Sequence, residues 1–427
     1  MRVHQHKIPT ALHLNAIPKG FYNFTVGLYL LHMAVMAELT SYFPDTLMRF
    51  RMISFLLVTV LALSVIASRA LFRGISPQAV LAYAVFLLMA ISGIVYQPDN
   101  LVYVKAVLFQ GSFIKYVLLF SALFLFEKDP DVRVRQLTIV SLAALFMYQY
   151  GASHGMYVDE SGNFAYMTVG YGCAPWWVIL TQGIFYYKNK LVKLTCLLSS
   201  LYFAVFILNY GNRGALVVIA AALVVFMVVY IPLNRLVFLG VVIILAGFAV
   251  LPFLQPIMKL AGDLLGFDLT LSRNFRLLSE GSLGYDSGRF PIWQACFDAI
   301  LQHPLLGNGS QGDRAVSLNQ LGEASYAHNI VIELCVDFGV IAGVLIYLWL
   351  LYIGFRMLFR CQNRDWRALF LPFYVFSMIQ LFLSGTFYES GYLLASVMIY
   401  LAYTSASCRN IAGMPQASVG SAEGGLS

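Results

Sequence analysis

Charge is what this sequence has least of: only 11% of its 427 residues are Asp, Glu, Lys or Arg, while 60% are hydrophobic. Soluble domains carry roughly 25% charged residues, so a chain of soluble domains is excluded and a polytopic membrane protein is expected. Cysteine is sparse as well. Cys173, Cys196, Cys296, Cys335, Cys361 and Cys408 are scattered without a CxxC pair, which excludes a disulfide framework and a thiolate zinc cage. No glycine-rich nucleotide loop and no cluster with metal-ligand spacing occurs, so neither a cofactor nor a metal is expected. Internal repeats, direct or inverted, are missing too, and that weakens a transporter reading.

What the chain does have is apolar runs of spanning length, near 21-37, 50-68, 77-96, 106-126, 136-150, 170-187, 191-209, 214-231, 236-254, 328-355, 368-384 and 389-405. They lack the alternation of barrel strands, so the expected fold is all-α with about twelve transmembrane helices. Lys and Arg gather in alternate short connections: Arg69, Arg73, Lys128, Arg133, Arg135, Lys188, Lys190, Lys193, Arg356, Arg360, Arg364 and Arg367 share one side with both termini. The positive-inside rule makes that side cytoplasmic. Orientation in the membrane thus explains the net charge of +7 without a nucleic-acid partner.

The expected organisation is a cytoplasmic N-terminus (1-20), helices 1-9 (21-254), a folded periplasmic loop (255-327) between helices 9 and 10, helices 10-12 (328-405), and a disordered Gly/Ser-rich cytoplasmic tail (406-427). The first run follows about twenty polar and basic residues with no small-residue cleavage site after it, unlike a cleavable signal peptide. Within the loop, FPIWQACFDAILQH places Ile292, Ala295, Cys296, Ala299 and Ile300 on one helical face, and PLLGNGSQGD reads as a Pro/Gly-bounded turn. Past His328, GVIAG sets Gly339 and Gly343 four apart, a spacing that admits close approach by a neighbour.

Several polar residues stand out on the outer side. Arg213, in NYGNRGAL, occupies a turn so short that it must lie at the membrane surface, where it could meet lipid phosphate or a ligand. Arg289 follows a Ser-Gly turn in YDSGRFPIW and opens the amphipathic helix. His328 starts an apolar helix; the positive end of a helix dipole disfavours imidazolium, so the ring should stay neutral and able to accept a proton. Glu333 and Asp337 follow it, four apart on one face of that helix, where carboxylates need partners such as cationic groups. Lys105 suits an interfacial anchor. Lys115 lies ten residues deeper, as a functional group or as the partner of Glu333 or Asp337.

In this order the motifs are specific. An NRG turn between two helices, SGR-x3-W, HPLLGNG and an HN-x3-E helix start together resemble the O-antigen ligase and O-antigen polymerase superfamily, most strongly from Asn209 to Gly343. The first two hundred residues resemble it in topology only. The resemblance implies a metal-independent, inverting glycosyltransferase in the bacterial inner membrane with its site facing the periplasm. The donor would be an undecaprenyl-diphosphate-linked glycan and the acceptor a glycan or lipid A core, with other polysaccharide-assembly proteins as further partners. Polymerisation of O-antigen or exopolysaccharide repeat units is the leading expectation, ligation to lipid A core the alternative, and a lipid-linked glycan flippase the second.

Carried over by motif, the family's arginines fall on Arg213 and Arg289 and its essential histidine on His328. This chain has NRG where many members place a serine before the arginine. Its lysine near the diphosphate is Lys105 or Lys115. Tyr326, Asn329 and Glu333 complete the candidate substrate-binding set, with Asn329 orienting the ring or acceptor and Glu333 bracing the site from one turn below.

Overall fold

The computed structural model describes residues 19–42, 46–73, 76–96, 100–109, 117–153, 157, 165–232, 235, 253–266, 272–279 and 288–412. Among them every regular element is helical: α1 (Lys19–Tyr42), α2 (Thr46–Arg73), α3 (Pro77–Tyr96), α4 (Leu101–Phe109), α5 (Phe120–Leu125), α6 (Pro130–Ser153), α7 (Tyr166–Tyr186), α8 (Lys190–Tyr210), α9 (Arg213–Tyr230), α10 (Leu254–Leu265), α11 (Arg273–Ser279), α12 (Arg289–Gln302), α13 (Gly312–Leu321), α14 (Ile330–Phe355), α15 (Arg364–Leu383) and α16 (Gly391–Ala412). A π-helical turn extends α14 to Arg360.

Four described helices are long and apolar enough to cross a membrane: Lys190–Tyr210, Arg213–Tyr230, Ile330–Arg360 and Arg364–Leu383. The other expected runs largely coincide with helices of the same bundle. Residues 236–252 of the ninth run, 110–116 of the fourth, and the expected terminal segments 1–18 and 413–427 lie outside the described residues.

Helix α7 sits at the centre, packed on α6, α8, α9 and α15. Glycines let it do so: a Cβ at Gly170 would meet Asn212 Oδ1, one at Gly183 the Cys196 sulfur, and one at Gly172 the Tyr148 hydroxyl. Without a strong hydrophobic driving force in lipid, such close backbone approach is how helices gain packing energy.

The span beginning after His328 differs from a single straight helix. At Gly339 the backbone leaves helical geometry (φ 80°, ψ 164°), splitting α14 into a short leading segment and a longer membrane-length one. The HPLLGNG turn fills that break. Val340 N–H donates to Pro304 O (2.8 Å), Asn308 N–H to Val336 O (2.7 Å) and Gly309 N–H to Asp337 O (2.9 Å), so the groups freed by the break are satisfied. A Cβ at Gly339 would overlap the Leu305 carbonyl oxygen, and its positive φ already favours glycine. The neighbour admitted by Gly339 is therefore a loop, while Gly343 faces the backbone of Leu334 and Cys335 across the bend.

Candidate functional site

The motif segments converge at one end of the bundle, at the α8–α9 turn, the start of α14 and the α15–α16 connection. Asn212 caps α9, its side chain accepting from Ala215 N–H (3.0 Å), and so fixes half-buried Arg213 in the first helical turn. Asn274 of α11 ties the outer segment to this turn by donating to Leu208 O and Gly211 O, both at 2.9 Å. Gly214 leaves room for the Tyr171 hydroxyl, which lies beside Asn212 and Ser384. Ser384 in turn meets both Tyr326 Oη and His328 Nδ1 at 3.4 Å. Among the described residues the buried Tyr171 hydroxyl has no hydrogen bond, so it brings the arginine turn close to the histidine's partner Ser384 by proximity alone.

The residues of the SGR-x3-W and HN-x3-E motifs have definite local tasks. Gly288 adopts the left-handed conformation (φ 75°) that lets Arg289 begin α12. Trp293 donates from its indole N–H to Ala327 O (2.7 Å), pinning α12 beside the histidine. Ile292, Ala295, Cys296 and Ala299 form the buried face of α12. Asn329 caps α14, accepting from Val331 N–H (3.0 Å) and Ile332 N–H (3.3 Å), and donates to Phe382 O (3.3 Å).

His328 lies between these anchors with φ 55°, a left-handed backbone rare outside glycine. Ala327 N–H is held by Asp313 Oδ2 (2.8 Å) on one side and the Asn329 cap lies on the other, so the strain is maintained by fixed neighbours. The Tyr326 ring packs against the imidazole, 4.0 Å between centroids and tilted by 44°. Burial, then Arg289, then Arg314 depress the His328 pKa from 6.5 to about 4. The ring is therefore neutral at pH 7, a proton acceptor beside two guanidinium groups.

The acids behind the histidine bond to different partners from those expected. Glu333 accepts from the Thr386 hydroxyl and from Phe387 N–H (2.8 Å). Asp337 accepts from Gln311 N–H (3.1 Å), Gly312 N–H (3.0 Å), Asp313 N–H (3.4 Å) and the Tyr388 hydroxyl (2.6 Å). Among the described residues neither carboxylate forms an ion pair with a Lys or Arg. They hold the α13 start and the α15–α16 connection against α14 through amides and hydroxyls.

Lys105 is exposed on α4. Lys115 lies outside the described residues. Four contributors carried no signal in the sequence: Tyr171, Asn274, Ser384 and Arg314. The first three look like ordinary helix or helix-end residues, and Arg314 beside Asp313 reads as a solvated loop pair. Among the described residues no group of three or more His, Cys, Asp or Glu is arranged to hold a metal ion.

Every motif of this constellation except the Tyr171 and Ser384 contacts falls between α8 and the middle of α14. Residues 198–347 match the O-antigen ligase family model. The match supports the O-antigen ligase and polymerase superfamily and, with the apolar helices, an integral membrane protein of ligase or polymerase type. No curated protein matches the chain.

Proposed function

We propose that this chain transfers a glycan from an undecaprenyl-diphosphate carrier to an acceptor hydroxyl at the periplasmic face of the bacterial inner membrane, joining repeat units of an O-antigen or exopolysaccharide. The observation that carries this reading is the neutral His328, held in a strained backbone and flanked by arginines within the O-antigen ligase segment. In the reaction His328 takes the proton of the acceptor hydroxyl as its oxygen attacks the anomeric carbon. The bond from that carbon to the diphosphate oxygen breaks, and configuration inverts. Arg213 and Arg289 hold the departing diphosphate, whose charge grows as the bond lengthens. Asn329 fixes the start of α14 and with it the histidine. Tyr326 orients the ring by packing against it, Glu333 braces the segment from below, and Lys105 or Lys115 adds charge near the carrier.

A ligase that moves the finished glycan onto lipid A core uses the same chemistry, and the description of the matching family favours it as the second reading. Purified protein supplied with a polyprenyl-diphosphate glycan, no ATP and excess chelator should form a new glycosidic bond. Movement of donor across the membrane without bond formation would replace the proposal with a flippase. Deleting the gene and resolving surface glycans by electrophoresis separates the two transferases: a polymerase leaves single-repeat caps, a ligase leaves bare core.

A further inference from the structure

We propose that Arg314 is a third cationic arm of this site, contacting the anionic diphosphate of the donor and fixing the His328 ring through Tyr326, and that the Asp337 carboxylate is what sets it there. The assignment rests on the donor named above. Arg314 sits in the first turn of α13, and three successive N–H groups at the start of that helix, those of Gln311, Gly312 and Asp313, donate to Asp337 on the leading segment of α14. The same short segment begins two residues after His328. One carboxylate thus clamps the helix that carries the arginine to the helix that carries the histidine.

The side chain is aimed by two contacts. Its Nη1 lies 3.4 Å from Asp313 Oδ1, and its guanidinium stands 5.6 Å over the Tyr326 ring, which in turn packs against His328. Asp313 is fully buried and otherwise taken up by Arg314 N–H (2.9 Å) and Ala327 N–H (2.8 Å). Burial pushes its carboxyl above the ordinary range, while Arg314 and those amides pull it back. A guanidinium paired through one nitrogen keeps its other donors for a ligand, and its flat fork matches phosphate oxygens.

The charges around the imidazole come from every side. Arg289 of α12 and Arg314 of α13 both act on it, Tyr326 and Ser384 touch it, and Tyr171 of α7 stands behind Ser384. Glu333, Asp337 and Glu389 act on Arg314 from the opposite direction. Removing Arg314 leaves burial and Arg289 to disfavour imidazolium.

The full chain in lipid nanodiscs, labelled at histidine, tests this by NMR, with the His328 signal assigned from its loss in His328→Ala. In Arg314→Gln the His328 titration midpoint should rise by roughly half a pH unit, burial and Arg289 still acting on the ring, and inorganic pyrophosphate, added with chelator, should bind about tenfold more weakly. Arg314→Lys keeps the charge but not the fork, so the midpoint should return toward wild type while pyrophosphate affinity stays reduced. Unfolding would send all histidines to their ordinary midpoint together, so unchanged signals from the others establish an intact fold. Either readout remaining at its wild-type value in Arg314→Gln overturns the assignment. Neither readout needs glycan transfer, so their success combined with a failed transfer assay counts against the donor reading alone.

Discussion

The two ends of the helical bundle use the same residue types to opposite purposes. At the end where α1, α6 and α15 begin, Arg133 and Glu127 are both fully buried and pair at 2.7 Å. Arg133 also donates to Gln136 and to Asn23 Oδ1 (3.2 Å), and its guanidinium lies 5.5 Å over the Tyr22 ring. Nearby Lys19 meets Asp129 at 2.6 Å, and Asp365 accepts from the Tyr186 hydroxyl (2.9 Å) while Arg364 donates to the carbonyls of Phe185 and Tyr186. Arg133, Lys19 and Arg364 there are engaged by protein partners.

At the opposite end the carboxylates Glu333 and Asp337 are spent on amides and hydroxyls, half-buried Arg289 acts on His328, and Arg314, paired with Asp313, acts on it as well. Burial and charge alone do not separate a structural cluster from a reactive one. The partners differ: at one end an acid and a cation close on each other and lock helices, whereas at the other Glu333 and Asp337 are satisfied by neutral donors and Asp313 engages Arg314 through one nitrogen only.

The largest effect that could break this contrast is loss of the base. His328→Ala should lower turnover on the order of 10²–10⁴-fold in a single-turnover assay, with donor binding retained. Comparable turnover in the variant would show that the strained histidine is not the proton acceptor. At the other end, Glu127→Gln leaves Arg133 buried against a neutral partner and should destabilise the protein by roughly 3–5 kcal/mol, read as a lower midpoint of thermal unfolding in detergent. Turnover per folded molecule should be unchanged; a catalytic defect there would abolish the division between the two ends.

The pH profile sharpens the comparison with a smaller change. Because His328 is held below its ordinary value, at about 4, the neutral ring persists as pH falls from 7 to 5, and kcat/KM should decline only as pH passes through about 4. The unfolded chain takes up a proton near 6.5 that the folded chain refuses, so stability should also weaken between 6.5 and 4. An acid limb at the ordinary histidine value would mean that neither burial nor the arginines act on the ring. Smallest is the cap: Asn329→Ala should cost about 1 kcal/mol of stability, and Asn329→Asp, which retains the accepting oxygen, should restore most of it.

Much of this architecture is legible in the order of amino acids alone. Apolar runs mark most of the helices, because a lipid-facing or bundle-packed helix needs continuous hydrophobic length. The glycines of SGR and HPLLGNG and the HN helix start mark sites where local rules bind tightly: Gly288 must turn left-handed, and Asn329 must cap. Those constraints act within a few residues, so the sequence by itself determined them. It could not determine who meets whom across the fold. That Asp337 would clamp α13, that Gly339 would break its helix to receive a loop, and that Ser384 would meet His328 depend on residues far apart in the chain. Those pairings exist only once the helices are packed, since a buried polar group is satisfied by whichever donor the packing brings to it.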